Sequence, residues 1–247
     1  MVTLSISDLK ARVRLMLDEQ GINEGEFAEE TYNAGEHDES YLDNIIDGKA
    51  VEALRYVYLN ADASLVPWES LTANGLAGYV DEFSAARVYE GGPLRYYLSF
   101  SASAVLRWLS VKIEGWSRMV PCEEAIEVNS PQYAMLSDKY CTGTPERPRV
   151  AIEHYYAGSS SMMYTKLYLY STPYTESTLP SYTLRFVTAP DYETTQTSKL
   201  LRVDDRLEDA FFYYLAGLTC MVLGDDRQEG FFQQAAELMG KTVNNEQ

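Results

Sequence analysis

The sequence predicts an α+β fold in which N- and C-terminal helices form a helical bundle and a β-rich domain is inserted between them. Three observations predict it. Apolar residues recur at helical spacing at both ends of the chain. Between them β-branched and aromatic residues rise and the apolar period shortens toward two. The charge follows the same division: of the net −17, residues 1–78 carry −10, residues 79–203 carry −1 and residues 204–247 carry −6. The expected organisation is therefore residues 1–78 as N-terminal helices of the bundle, 79–203 as the inserted β-rich domain with one helix, and 204–247 as a C-terminal helix pair with a tail.

The elements are justified in chain order. Leu9, Val13 and Leu17 repeat every four residues, and Ser5 with Asp8 forms the pattern of a capping box, so a first helix is expected to end near Gly21. Residues 22–39 are acidic and poorly periodic and predict an exposed loop. Ser40 with Asp43 reads as a second capping box. It opens a helix whose stripe runs through Leu42, Ile45, Ile46, Ala50, Ala53, Leu54, Val57 and Ala61. Strands are expected at 86–90, 94–100, 105–113, 149–156, 164–170 and 182–187, the fourth and fifth pairing as a hairpin. Ser130 and Pro131 open a helix among them. Along 164–170, Tyr164, Tyr168 and Tyr170 share one face and Leu167 and Leu169 the other, the alternation of a sheet with one packed face. At the C-terminal end, Asp205 with Glu208 caps a helix carrying Leu207, Phe211, Tyr214, Leu218, Met221 and Val222, which Gly224 stops. Asp226 with Glu229 caps the next helix.

The composition excludes several function classes. A strongly acidic chain repels nucleic-acid phosphates. The opening residues lack the layout of a secretory signal, and no apolar run approaches the ~20 residues of a membrane helix. Ala210–Leu223 is the most apolar stretch, yet it is too short and carboxylates flank it. Cys122, Cys141 and Cys220 are widely spaced and read as free thiols. The carboxylates Asp204, Asp205, Glu208, Asp209, Asp225, Asp226 and Glu229 lie where helix dipoles favour them, so no metal is needed to explain them. His37 and His154 form no triad, and no phosphate-loop, dinucleotide or nucleophile-elbow motif occurs. No cofactor, metal or catalytic residue is expected.

Three stretches carry a family resemblance: DLKARVRLMLDE with the following YLDNIIDGKAVEALRYVYLNA, then YTLRFVTAP, then LLRVDDRLEDAFFYYLAGLTCMVLGDDRQEGFFQQAAELM. Together they resemble the head-to-tail adaptor, connector or ring, proteins of tailed bacteriophages of the podophage and crAss-like types. The resemblance implies a non-enzymatic virion protein made in the bacterial cytoplasm and resident at the head–tail junction. It implies a ring of twelve copies that binds the portal protein on one side and the next tail or ring protein on the other. Packaged DNA would pass through without sequence-specific binding. On this reading Lys241, Thr242, Val243, Asn244 and Asn245 contact the portal or a neighbouring subunit, and Glu26, Glu29, Glu30, Glu36, Asp38 and Glu39 form an acidic channel face. Two alternatives stand beside it. One is a carbohydrate-binding or carbohydrate-cleaving protein that uses the aromatic strands, with Trp108 and Trp116 as stacking residues. The other is an acidic regulatory protein.

Overall fold

A computed structural model describes residues 1–19, 38–87, 94–138, 140–156, 162–170, 180–194 and 199–240. In chain order the strands are β1 (Val2–Ser5), β2 (Glu69–Ala73), β3 (Glu82–Arg87), β4 (Leu94–Ser101), β5 (Val105–Ile113), β6 (Val120–Pro121), β7 (Ile126–Glu127), β8 (Val150–Tyr156), β9 (Met163–Leu169), β10 (Tyr182–Thr188), β11 (Glu193–Thr194) and β12 (Lys199–Val203). The helices are α1 (Ile6–Glu19), α2 (Asp38–Asn60), α3 (Pro131–Met135), α4 (Glu208–Leu223) and α5 (Gln228–Leu238). The chain folds as two compact units, residues 1–67 with 190–247 and residues 68–189. No helix among the described residues is long and apolar enough to cross a membrane.

The expected terminal helical bundle is not what forms. The chain is a mixed α+β structure dominated by sheets of three, four and five strands, and α4 and α5 make only a C-terminal helix pair. The terminal unit is built partly on a sheet. β1 pairs antiparallel with β12 from Val2↔Val203 to Ser5↔Leu200, and β12 pairs with β11. Leu4, Leu201 and Val203 are buried there. The apolar stripes of the helices thus have a sheet to cover as well as one another, so a closed ring of four helices is not required to bury them. α1 lies against β1, β12, α2 and α4. Tyr192 beside β11 donates to the Asp47 carbonyl of α2 at 2.8 Å.

α4 is the centre of this unit. From Ala210 to Cys220 it is buried except at the half-buried Tyr213 and Tyr214, because α2 and α5 pack against it. A helix that apolar all round is stable only inside protein. Gly217 lets α5 approach, since the Phe232 ring occupies the space a Cβ would need. Gly224 ends the helix at φ 75°, and the Asp225 N–H donates to the Cys220 carbonyl at 2.9 Å, closing a Schellman turn. The stripe is shorter than the spacing suggests: Met221 and Val222 are exposed.

Capping follows the expected pattern at one of the four helices for which a pair was expected. At α1 the Asp8 N–H donates to Ser5 Oγ and the Ser5 N–H to the Asp8 carboxylate, both at 3.2 Å. α2 starts at Asp38, before Ser40, and Asp43 pairs instead with Lys10 and Arg14 of α1. α4 and α5 have no side-chain caps.

The second unit is a sandwich. Its four-stranded sheet has the order β2-β10-β5-β6 and its five-stranded sheet β3-β4-β9-β8-β7. Five of the six expected strands match observed ones within a residue or so, and β8 and β9 form the expected antiparallel pair. The first begins earlier, as Glu82–Arg87. β2, with one buried-facing leucine among polar residues, carried no strand signal. Phe83, Leu98, Phe100, Leu167 and Leu169 of one sheet meet Trp108, Val111, Tyr182, Leu184 and Phe186 of the other in a single core.

Candidate functional site

Two of the acidic clusters prove to be structural clasps. The chain contains Asp-Asp-Arg twice, at 204–206 and 225–227. In each, the first aspartate accepts from the arginine two residues on: Asp204 Oδ1 from the Arg206 N–H at 3.0 Å and its Nε at 2.9 Å, and Asp225 Oδ1 from the Arg227 N–H at 2.9 Å and its Nε at 3.0 Å. The free arm of each guanidinium then reaches a carbonyl far away in sequence. Arg206 Nη1 donates to Ser64 O at 2.9 Å, and Arg227 Nη1 to Leu17 O at 3.2 Å. The second bond satisfies a terminal carbonyl of α1, which has no intrahelical partner. The Asp204 N–H also donates to the buried Tyr58 hydroxyl at 3.0 Å, and burial pushes that phenol up to about 12. The side-chain bonds from Arg206 and Arg227 hold the Asp204 and Asp225 carboxyls below their ordinary value. Asp205 and Glu208, expected as a cap, pair instead with the N-terminal ammonium and with Arg12. Among the described residues no group of three or more His, Cys, Asp or Glu is arranged to hold a metal ion.

Burial works against nucleophile chemistry at two of the thiols. Burial pushes the Cys220 thiol up to about 11 and also raises Cys122, the direction that keeps sulfur protonated and unreactive. His154 is exposed on β8, its Nδ1 3.1 Å from Thr165 Oγ1.

The outward face of the five-stranded sheet is lined with tyrosines. Register brings Tyr97 opposite Tyr168, and Tyr155 opposite Tyr164. Lys166 stands among them, its Nζ 4.1 Å from the Tyr97 ring centroid and 3.5 Å from Glu82. Tyr97 donates to Glu82 at 3.1 Å and Tyr168 donates to Glu153. Burial first, and the Glu153 carboxylate second, raise the Tyr168 phenol. α3 covers the end of this face at Ala151 and Tyr170 through Leu136 and Tyr133. What remains half-exposed is a rigid amphipathic surface of the kind enriched in protein contacts. Trp108 and Trp116, in contrast, are 5% and 3% exposed and belong to the sandwich core, so neither is available to stack on a sugar.

The sequence-derived contact residues Lys241, Thr242, Val243, Asn244 and Asn245 lie outside the described residues, as do Glu26, Glu29, Glu30 and Glu36. Asp38 and Glu39 open α2, and their side chains are likewise outside what is described. The clasps were not anticipated, whereas the tyrosine-rich strands were expected to suit protein contacts, without named contact residues. The repeated Asp-Asp-Arg was a visible signal for the first, and the Tyr alternation along 164–170 for the second. Compared with protein-family models and with curated proteins, the chain matches none.

Proposed function

We propose that the chain is a non-enzymatic structural subunit of a tailed-phage virion, a head-to-tail adaptor that assembles as a ring between the portal and the tail. The observation that carries the reading is how the chain ends meet. The stretches that resemble adaptors at the two ends fold into one unit, joined by the β1–β12 pairing and the packing of α1 and α2 on α4. The intervening residues 68–189 form a separate β unit. Such a division suits a protein with one unit for ring assembly and another for a neighbour. The −17 net charge supports passage of DNA without binding, since like charges repel. In this proposal twelve copies surround the channel, and Glu26, Glu29, Glu30, Glu36, Asp38 and Glu39 face it. Lys241 to Asn245 reach the portal or a neighbouring copy, and the next tail or ring protein docks on the opposite side.

The test is reconstitution. Purified chain mixed with an intact portal ring is expected to give a stacked ring by negative-stain electron microscopy. Removal of residues 241–247 is expected to weaken that complex. Failure to bind any intact portal ring would sink the proposal, whereas a monomeric state of the isolated chain would not.

A further inference from the structure

We propose that the outer face of the four-stranded sheet is a docking site for an extended, carboxylate-bearing segment of a partner protein. Among the described residues β2 is the edge of that sheet and pairs with β10 alone. An edge strand offers unpaired N–H and C=O groups that can template an added strand. β2 lacks the usual protections against this. It contains no proline, and its single charge, Glu69, is its first residue.

Charge and chemistry say what would be added. Register aligns Thr72 with Thr183 and Thr183 with Lys112, and Ser70 with Arg185, so these side chains share the face turned away from the core. Trp68, just before β2, joins them: the Arg185 guanidinium lies 4.8 Å from its ring centroid, and Trp68 is 51% exposed. Neither Lys112 nor Arg185 has an acidic ion-pair partner among the described residues, although the chain carries −17 overall. The nearest carboxylate along β5 is Glu114, and it is engaged by the Ser181 N–H at 3.2 Å and hydroxyl at 3.0 Å. The face therefore holds two uncompensated cations, a row of hydroxyls and an exposed aromatic beside an open strand edge. A partner strand with a carboxylate and an apolar residue alternating along it matches each part. The guanidinium fork, set over Trp68, takes the carboxylate. The β2 backbone takes the main chain, and the apolar side chains, which fall on the opposite face of the added strand, extend the inward side of β2 at Leu71. A nucleic acid fits less well. Two cations release few counterions, and a dense line of phosphates meets the repulsion of the whole acidic molecule.

The experiment measures anisotropy of three labelled probes against the full chain at low salt. They are a peptide of about ten residues alternating Glu and Val, long enough to span β2, the same peptide with Gln for Glu, and an oligothymidylate of similar length. The Glu–Val peptide is expected to bind about tenfold more tightly than the Gln–Val peptide. Arg185→Ala and Lys112→Ala are each expected to weaken it about fivefold or more, and Trp68→Ala similarly, with thermal melts unchanged. Equal binding of the two peptides, no binding of either, or retained affinity in Arg185→Ala would overturn the assignment. So would tighter binding of the oligothymidylate. The peptide comparison uses the unaltered chain and decides the matter even where a variant fails to fold. The site needs no ring to work, so a negative result leaves the adaptor reading standing, and failure to engage a portal leaves the docking site standing.

Discussion

Gly217→Ala tests the packing at the centre of the terminal unit. A Cβ at Gly217 would lie 2.7 Å from Phe232 Cε1, 2.8 Å from Cδ1 and 3.2 Å from Cζ. Phe232 is also set against Tyr214, with ring centroids 5.1 Å apart, and Tyr214 stacks on Tyr56 at 4.1 Å. Two effects compete. Alanine in a helix interior is favoured over glycine by ~1 kcal/mol. Forcing the Phe232 ring aside is an overpacking change that costs about 1–3 kcal/mol. The net expectation in the wild-type background is a loss of about 1 kcal/mol. In a Phe232→Ala background the clash is gone, so the same change should stabilise by ~1 kcal/mol. The sign reversal corresponds to a coupling of roughly 1–3 kcal/mol, within the range for residues in contact. Urea unfolding of the four proteins measures it, provided the m-values agree. If Gly217→Ala stabilises equally in both backgrounds, Phe232 does not fill the glycine's space and the α4–α5 packing is misassigned.

Leu218, 4% exposed on the same helix, should lose ~2–5 kcal/mol as Leu218→Ala, and a loss under about 1 kcal/mol in the same melts would contradict a buried α4. The Asp225 clasp should appear in the acid limb of stability. Its folded carboxyl titrates below the ordinary 3.8, so its contribution is present above that value and is lost as pH falls below it toward the folded pKa. Asp225→Asn should lower stability near neutrality by about 1–3 kcal/mol, the range for a hydrogen bond to a charged group. Its stability should also fall less steeply with acid. Urea midpoints between about pH 2 and about pH 6 test this, and parallel acid limbs for the two proteins would show that the clasp does not titrate as described.

Part of this architecture was legible along the chain because the forces involved are local. The strands 94–100, 105–113 and 182–187 announced themselves by β-branched and aromatic residues, and Ser5 with Asp8 by a cap that closes within one turn. Gly224 is a stop because only a residue without a Cβ takes a left-handed backbone at little cost. The buried stripe from Ile46 to Val57 follows from helical geometry alone. What the sequence could not announce depends on residues far apart in it. Val2–Ser5 is too short to carry a period, and it becomes a strand only because Lys199–Val203 lies beside it. Glu69–Ala73 is polar because it is an edge strand, and polarity erases the alternation that would reveal it. Asp205, read as a helix cap, pairs instead with the N-terminal ammonium. The aspartates one place earlier in each Asp-Asp-Arg, Asp204 and Asp225, are held by arginines two residues on, whose remaining arms reach carbonyls at Ser64 and Leu17. Periodicity and turn chemistry thus determined most of the elements and the inward faces of many of them. The tertiary structure decided that the chain ends share a sheet, that Trp108 and Trp116 are core, and that Lys112 and Arg185 share a face with no acidic ion-pair partner among the described residues, because sheet pairing and charge pairing join residues that no local spacing relates.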